Sequence, residues 1–372
     1  MDINIEQRTF LRRIDWVFAF IILCLNAVGL TNLFSATHGP LTLGVEPLFT
    51  NQLVWIFGGW CVFFLFTLVE YHFVARAAYI FYFANLAAIL YVTFFGTTAL
   101  GAQRWIDLGF MRYQPSETMK MALILVLARE LSQKAVPAAG LGLRELFKPL
   151  LLILAPVAMV IEQPDLGTAM MLLFIGFSIL LFMKVRTSIL AIAVTAGLVA
   201  SPIMWFYGLR DYQKLRIINF ISPQNDPRGT GYNSIQSKIA VGSGQLIGKG
   251  FRQGTQSQLE FLPERHTDFI YSVLSEEFGF LGSVGTIFLF VILFITGLRV
   301  ASTARDKMGA LIATGVLTYI FWHMTVNMGM VIGLLPIVGV PLPLLSYGGS
   351  SMLTTMAGLG LVSSVAYRRY LF

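Results

Sequence analysis

The chain has 372 residues, 56% of them hydrophobic and only 12% charged, with a net charge of +7. That charged share is about half that of an ordinary soluble domain, and uncharged runs near the ~20 residues that cross a bilayer recur along the whole length. A water-soluble fold is excluded, and disordered, collagen-like and disulfide-scaffold classes fall with it.

In chain order, apolar runs at 16–34, 48–69 and 77–95 each approach spanning length. Cys24 and Cys61 lie inside the first two and read as small hydrophobes, not as a bridge or a metal pair. The first run has a short charged start and no small-residue cleavage site, so it reads as a retained anchor. Two weaker segments follow, 116–131 and 146–161, with Lys120 and Lys148 near their ends. Runs at 166–183, 187–209 and 278–298 come next. Residues 308–367 contain no Asp, Glu, Lys or Arg, which leaves room for two spans, 308–335 and 350–367, joined across Pro336, Pro341 and Pro343.

The expected fold is therefore an all-α polytopic membrane protein, one domain over 1–372, with ten transmembrane helices and a large extracytoplasmic loop, 208–268, between the seventh and eighth. Charge placement agrees with that count. With the N-terminus inside, the cytoplasmic segments collect fifteen Lys and Arg, among them Arg8, Arg12, Arg13, Lys184, Arg305 and Arg369, while the short outer loops hold only Arg104 and Arg112. Both termini are then cytoplasmic. No repeat of 20 to 50 residues is evident.

The 208–268 loop is polar and Gly-rich, and its apolar pieces 215–221 and 235–247 predict ordered elements. GSGQLIGKG (242–250) is not a P-loop, because three residues instead of four separate Gly244 from Gly248 and Gly250 stands where Ser or Thr would bind magnesium. Its glycines can still form an anion-binding concavity beside Lys249 and Arg252, or serve as simple turns.

Polar residues at membrane depth usually mark function or a buried pair. In QPSETMK (114–120), Pro115 and Glu117 suit a helix start, and Lys120 lies one turn deeper at the spacing of an ion pair with Glu117. The pair is either a structural salt bridge or the wall of a polar cavity that handles a charged substrate. GAQRWIDLG (101–109) places Arg104 and Asp107 around Trp105, which reads equally as an interfacial anchor. QPDLGT (163–168) offers Asp165 as an N-cap. Glu264, Arg265, His266 and Asp268 crowd into five residues at the lip of the eighth span, where a partly desolvated carboxylate has its pKa raised, unless Asp268 simply caps the helix. VPLPLLSYGGSS (340–351) joins the last two spans through irregular backbone that must pack on protein or line a cavity, bringing Ser346 and Tyr347 with it.

GAQRWIDLG, QPSETMK, QPDLGT, GTQSQLEFLPERHTDFI (254–270) and PLPLLSYGGSS (341–351), in this order and at these spacings, resemble the signature blocks of the SEDS family (shape, elongation, division and sporulation) of bacterial membrane proteins. The resemblance runs nearly from end to end and is nearer to the elongation branch than to the division branch. It implies a peptidoglycan glycosyltransferase of the bacterial cytoplasmic (inner) membrane that polymerises lipid II outside the cell, releases polyprenyl pyrophosphate, and works with a class B penicillin-binding protein (the transpeptidase) and other elongasome proteins. No nucleic acid is implied. By the same resemblance the family's essential Asp falls on Asp268, its membrane-embedded Glu and Lys on Glu117 and Lys120, and its Arg-Trp pair on Arg104 and Trp105. Lys249, Arg265, His266, Ser346 and Tyr347 join these as candidate substrate-binding residues.

The chemistry asks for a lipid-open groove, cations for a multiply charged anion, and a base for the attacking hydroxyl. A divalent cation, Mg or Mn, suits a pyrophosphate, but no sequence pattern fixes a site for it. A lipid II flippase is the alternative reading, and a non-catalytic scaffold a third. Gly309, Gly315 and Gly329 suggest the ninth span as the face for a single-span partner.

Overall fold

The computed structural model describes residues 14–37, 47–99, 102–109, 112–225, 229–259 and 261–369. Arg8, Arg12 and Arg13, assigned above to the basic side, lie outside the described residues. The chain builds α1 (Trp16–Thr37), α2 (Pro47–Leu68), a short α3 (Tyr71–Arg76) and α4 (Ala78–Phe95). A small antiparallel sheet follows, of β1 (Thr97–Ala99), β2 (Ala102–Asp107) and β3 (Arg112–Tyr113). Then come α5 (Pro115–Ser132), α6 (Leu143–Glu162), α7 (Leu166–Phe182) and α8 (Thr187–Ile203), the last running into a π turn at Met204–Gly208. The long loop carries α9 (Asp211–Ile221), α10 (Thr230–Ser243) and α11 (Thr255–Gln258), before α12 (Ile270–Ser302), α13 (Lys307–Val331) and α14 (Gly349–Arg368) complete the bundle.

Among the described residues, ten helices have 17 residues or more, and six segments are long and apolar enough to cross a membrane: α1, α2, α4, α8 with its π turn, α12 and α13. The protein is thus a mostly helical, polytopic membrane protein. α5 falls outside the six because it carries Glu117, Lys120, Arg129 and Glu130. It can carry them because it is central. It packs against α4, α6, α7, α13 and α14, and every side chain from Met119 to Ala128 is buried. A helix sheathed by protein has no need of an apolar surface all round. α8 is the opposite case, apolar with no residue buried.

The core joins Ile124 and Val126 of α5 to Ile175 and Ile179 of α7, Ile312 and Val316 of α13, and Leu359 and Val362 of α14. Gly315 belongs to this packing, meeting Ile124 and Ile179. Gly309 meets Tyr71, Asp306 and Val365, and Gly329 meets Leu335. The three glycines therefore face the protein's own interior, which corrects the suggestion that they form a partner-docking face; they serve close packing within the chain.

α12 starts eight residues before the apolar run that announced it, and it is broken. Gly279 has φ 65° and ψ −159°, so the helix is two pieces, and the residue must be glycine to hold that left-handed conformation. The GSGQLIGKG loop fills the break: Phe280 N–H donates to Gln245 C=O, Leu281 N–H to Leu246 C=O, Lys249 N–H to Glu276 C=O and Gly250 N–H to Glu277 C=O. The loop's amides at 249 and 250 are thus spent on the backbone freed by the broken helix, not held open for an anion. Polar Ser272, Ser275, Glu276 and Glu277 disguised the first piece as loop in the sequence, yet all are buried. Glu276 accepts from Lys249 Nζ (2.6 Å) and the Gln256 and Ser257 amides, and Glu277 from Ser35 Oγ (2.5 Å).

Candidate active site

α5 begins with Pro115, whose fixed φ suits a first helical turn, and Glu117 follows where the helix dipole favours an anion. One turn deeper, Lys120 Nζ donates to Glu117 Oε1 at 2.7 Å with neither side chain meaningfully exposed. The pair is enclosed, so in this conformation it does not wall an open cavity. Two further contacts hold the ammonium: Nε2 of His323 at 3.0 Å, and the face of Tyr319, whose ring centroid is 5.2 Å away.

The connection from α13 to α14 is irregular backbone at bundle depth, and it is tied down from several sides. His323 Nδ1 lies 3.2 Å from the Pro341 carbonyl. Asn327 Nδ2 donates to Val340 C=O (2.7 Å) and to Asp268 C=O (2.8 Å). Ser346 Oγ donates to Thr267 C=O, Tyr347 N–H donates to His266 C=O, and Gln52 reaches Ser346 C=O. Ser346 and Tyr347 thereby fasten the backbone on which Asp268 sits. Gly339, at φ +70°, turns the connection so closely over that residue that a Cβ there would lie 3.2 Å from Asp268 Oδ2.

Asp268 is half-buried and does not cap α12, whose N-cap position is Phe269 with no side-chain bond. Among the described residues, nothing donates to its carboxylate. Burial first, then the charges of Glu264 and Asp165, push its pKa from the ordinary 3.8 up to about 7, against the opposing pull of Arg216 and Arg104. Arg104 reaches in from β2: it donates to Gln163 C=O and Pro164 C=O and stands 3.6 Å from Asp165. Asp165 caps α7 by accepting from the Thr168 amide. Arg216, on α9, donates to Val338 C=O. A carboxylate tuned toward neutrality within the electrostatic reach of two guanidinium groups is suited to moving a proton beside an anion.

The remaining candidates hold the frame. Arg265 Nε donates to Ala36 C=O at 2.7 Å, and the His266 ring lies edge-on to Tyr347. Trp105 sits in β2, its carbonyl accepting from Thr97 Oγ1. Lys249 pairs with buried Glu276 and donates to Thr255, which places its contacts at the break in α12. Beside α5 runs an apolar groove of about 500 Å³, from Val69, Phe73 and Val74 to Tyr113, Thr118 and Ser350. Thr118 is the residue after Glu117, so one end of the groove reaches the start of α5.

Sequence reasoning missed Arg216, His323 and Asn327. The signal for the last two was present: a His and an Asn one helical turn apart inside a charge-free run of membrane length. No motif singled out Arg216 within its basic loop; only the tertiary fold brings its charge to bear on Asp268. No group of three or more His, Cys, Asp or Glu among the described residues is arranged to hold a metal ion.

Residues 13–371 match the FtsW/RodA/SpoVE family, described as cell cycle proteins. The chain belongs to this family. It is 44% identical over 288 residues to the peptidoglycan glycosyltransferase MrdB of Escherichia coli K12, covering 77% of each chain. It is 30% identical to the peptidoglycan glycosyltransferase RodA of Treponema pallidum, over 95% of this chain and 98% of that one. Its fold superposes on rod shape determining protein RodA of Thermus thermophilus with a TM-score of 0.71 at 29% identity, covering 96% and 98%. Against a chain of a peptidoglycan synthase complex, solved to address the structural coordination of polymerization and crosslinking, the TM-score is 0.83 at 30% identity, covering 96% and 99%. The five blocks that resemble the SEDS family lie within the matched span.

Proposed function

We propose that this protein polymerises lipid II into glycan strands for cell elongation and rod shape, with Asp268 as the general base on the extracytoplasmic side of the inner membrane. The chain is a peptidoglycan glycosyltransferase by its relatives; substrate, residue roles and orientation are the finer reading. The observation that carries it is the Asp268 carboxylate: without a donor among the described residues, tuned to about 7 and within the electrostatic reach of Arg104 and Arg216. The acceptor hydroxyl gives its proton to Asp268 as its oxygen bonds the anomeric carbon, and the bond from that carbon to the pyrophosphate oxygen breaks, releasing polyprenyl pyrophosphate. Arg104 and Arg216 balance the leaving group's charge, the enclosed Lys120–Glu117 pair sits behind the connection, and the apolar groove suits the polyprenyl chain.

Purified protein incubated with lipid II, alone and with a class B penicillin-binding protein, should yield glycan strands. Its kcat/KM should fall about tenfold per pH unit below about 7, because only ionised Asp268 accepts the proton. Arg216→Ala removes a charge that lowers this pKa and moves the limb to higher pH, while Glu264→Gln removes one that raises it and moves the limb lower. Transfer of labelled lipid II across vesicles with no polymer formed would favour the flippase instead.

Ten spans, with 208–268 outside and both termini cytoplasmic, complete the proposal. Gln224 and Ala138 are both exposed. Single cysteines at the two positions, treated on intact cells with an impermeant thiol reagent, should label at 224 and not at 138; the reverse would overturn the topology. The partner is proposed to be a class B penicillin-binding protein within an elongasome, supported by the likeness to a chain of a synthase complex.

A further inference from the structure

His323 belongs to no block that the sequence singled out, yet it stands between the buried cation and the connection over Asp268. Its side chain is buried in α13, with Nδ1 3.2 Å from Pro341 C=O and Nε2 3.0 Å from Lys120 Nζ. A carbonyl oxygen only accepts, so Nδ1 must carry the ring proton. Nε2 then presents a lone pair, and Lys120, a donor only, gives it a hydrogen. The ring is neutral, in one tautomer, and oriented at both nitrogens. Tyr319, edge-on at 4.7 Å and itself bonded to Thr355 Oγ1, closes the remaining side.

One turn along the same helix, Asn327 bonds Val340 C=O and Asp268 C=O. A single face of α13 therefore fixes two successive carbonyls of the connection, 340 and 341, and through them relates Lys120 on α5 to the backbone of Asp268. A Lys side chain has four rotatable carbons and selects no direction unaided. Glu117, on the same helix, holds the ammonium to α5; His323 is the contact that refers it to the other half of the site.

We propose that His323 is a positioning residue for glycosyl transfer, aiming the Lys120 ammonium and locking it to the connection that carries the Asp268 side of the site. This rests on the function proposed above. Three substitutions separate the two bonds. His323→Gln places an amide oxygen near the position of Nε2 and keeps an acceptor for Lys120; His323→Asn keeps a donor near Nδ1 for Pro341 only; His323→Phe keeps the packing and neither bond. Strand formation from lipid II is measured for each, with thermal melting of the same preparations.

The expected order is Gln well above Asn and Phe, the latter two losing about ten- to a hundredfold in kcat/KM, the loss set by a missing hydrogen bond to a charged group. Melting temperatures should not follow that order. A wild-type rate in His323→Phe overturns the proposal. An order with Asn above Gln assigns His323 to tethering the connection and overturns it also, as does activity that merely tracks the melting temperature. Should the wild-type protein form no strands at all, the functional reading falls and this inference falls with it.

Discussion

Asp268→Asn should abolish detectable strand formation while leaving the protein folded and extractable. General-base catalysis is worth ~10²–10⁴-fold, or roughly 3–5 kcal/mol of barrier at 1.36 kcal/mol per tenfold, and an amide cannot take the proton. The substitution is nearly isosteric, and with no cap bond from this side chain to the start of α12, no helix contact is lost. Stability supplies a second, independent reading. The folded-state pKa of Asp268 is raised above the ordinary 3.8 to about 7, so the stability linked to its protonated form is fully present below the unfolded value and is lost as pH rises from about 4 through about 7. The Asn variant has no such titration. Its melting temperature should gain on wild type across that window. Thermal melts at pH 5 and pH 8, beside the strand assay, test both halves, and a wild-type rate in the variant would remove Asp268 from the mechanism.

Glu117→Ala and Lys120→Met should each cost the protein stability, and both should lose polymerisation. Lys120 has no exposure; removing Glu117 leaves its ammonium, among the described residues, with His323 and the Tyr319 ring, and removing Lys120 leaves the buried Glu117 carboxylate without its ion-pair partner. Breaking a buried pair from one side is worth about 3–5 kcal/mol, whereas replacing both partners by apolar residues is often neutral. The double variant Glu117→Ala, Lys120→Met should therefore recover expression and thermal stability but not activity. Detergent-solubilised yield and melting temperature read the first effect and strand formation the second. If the double variant polymerised lipid II at the wild-type rate, the pair would be structural only.

Composition alone is sufficient for the membrane class, because a chain with so few charges cannot cover a soluble surface. Spacing alone is sufficient for the Glu117–Lys120 pair, since residues three apart on a helix share a face whatever surrounds them. The cap at Asp165 is legible for the same local reason. The start of α12 was not legible: buried Ser, Ser, Glu, Glu looks like loop until the GSGQLIGKG segment supplies the partners, and those partners are some thirty residues away in the chain.

The catalytic assignment divides along the same line. Asp268 as a carboxylate just ahead of a long apolar run is a local fact. Whether it caps a helix or stands without a donor among the described residues, under the charges of Arg104 and Arg216 and with its pKa near neutrality, depends on β2, α9 and the turn at Gly339, which converge from distant parts of the sequence. Lys120 likewise had an evident neighbour in Glu117, but its second partner sits 203 residues away. Helical periodicity and capping act over one or two turns and can be read from the sequence. Burial, long-range charge and the choice of hydrogen-bond partner are sums over the packed bundle, so only the tertiary structure decided them.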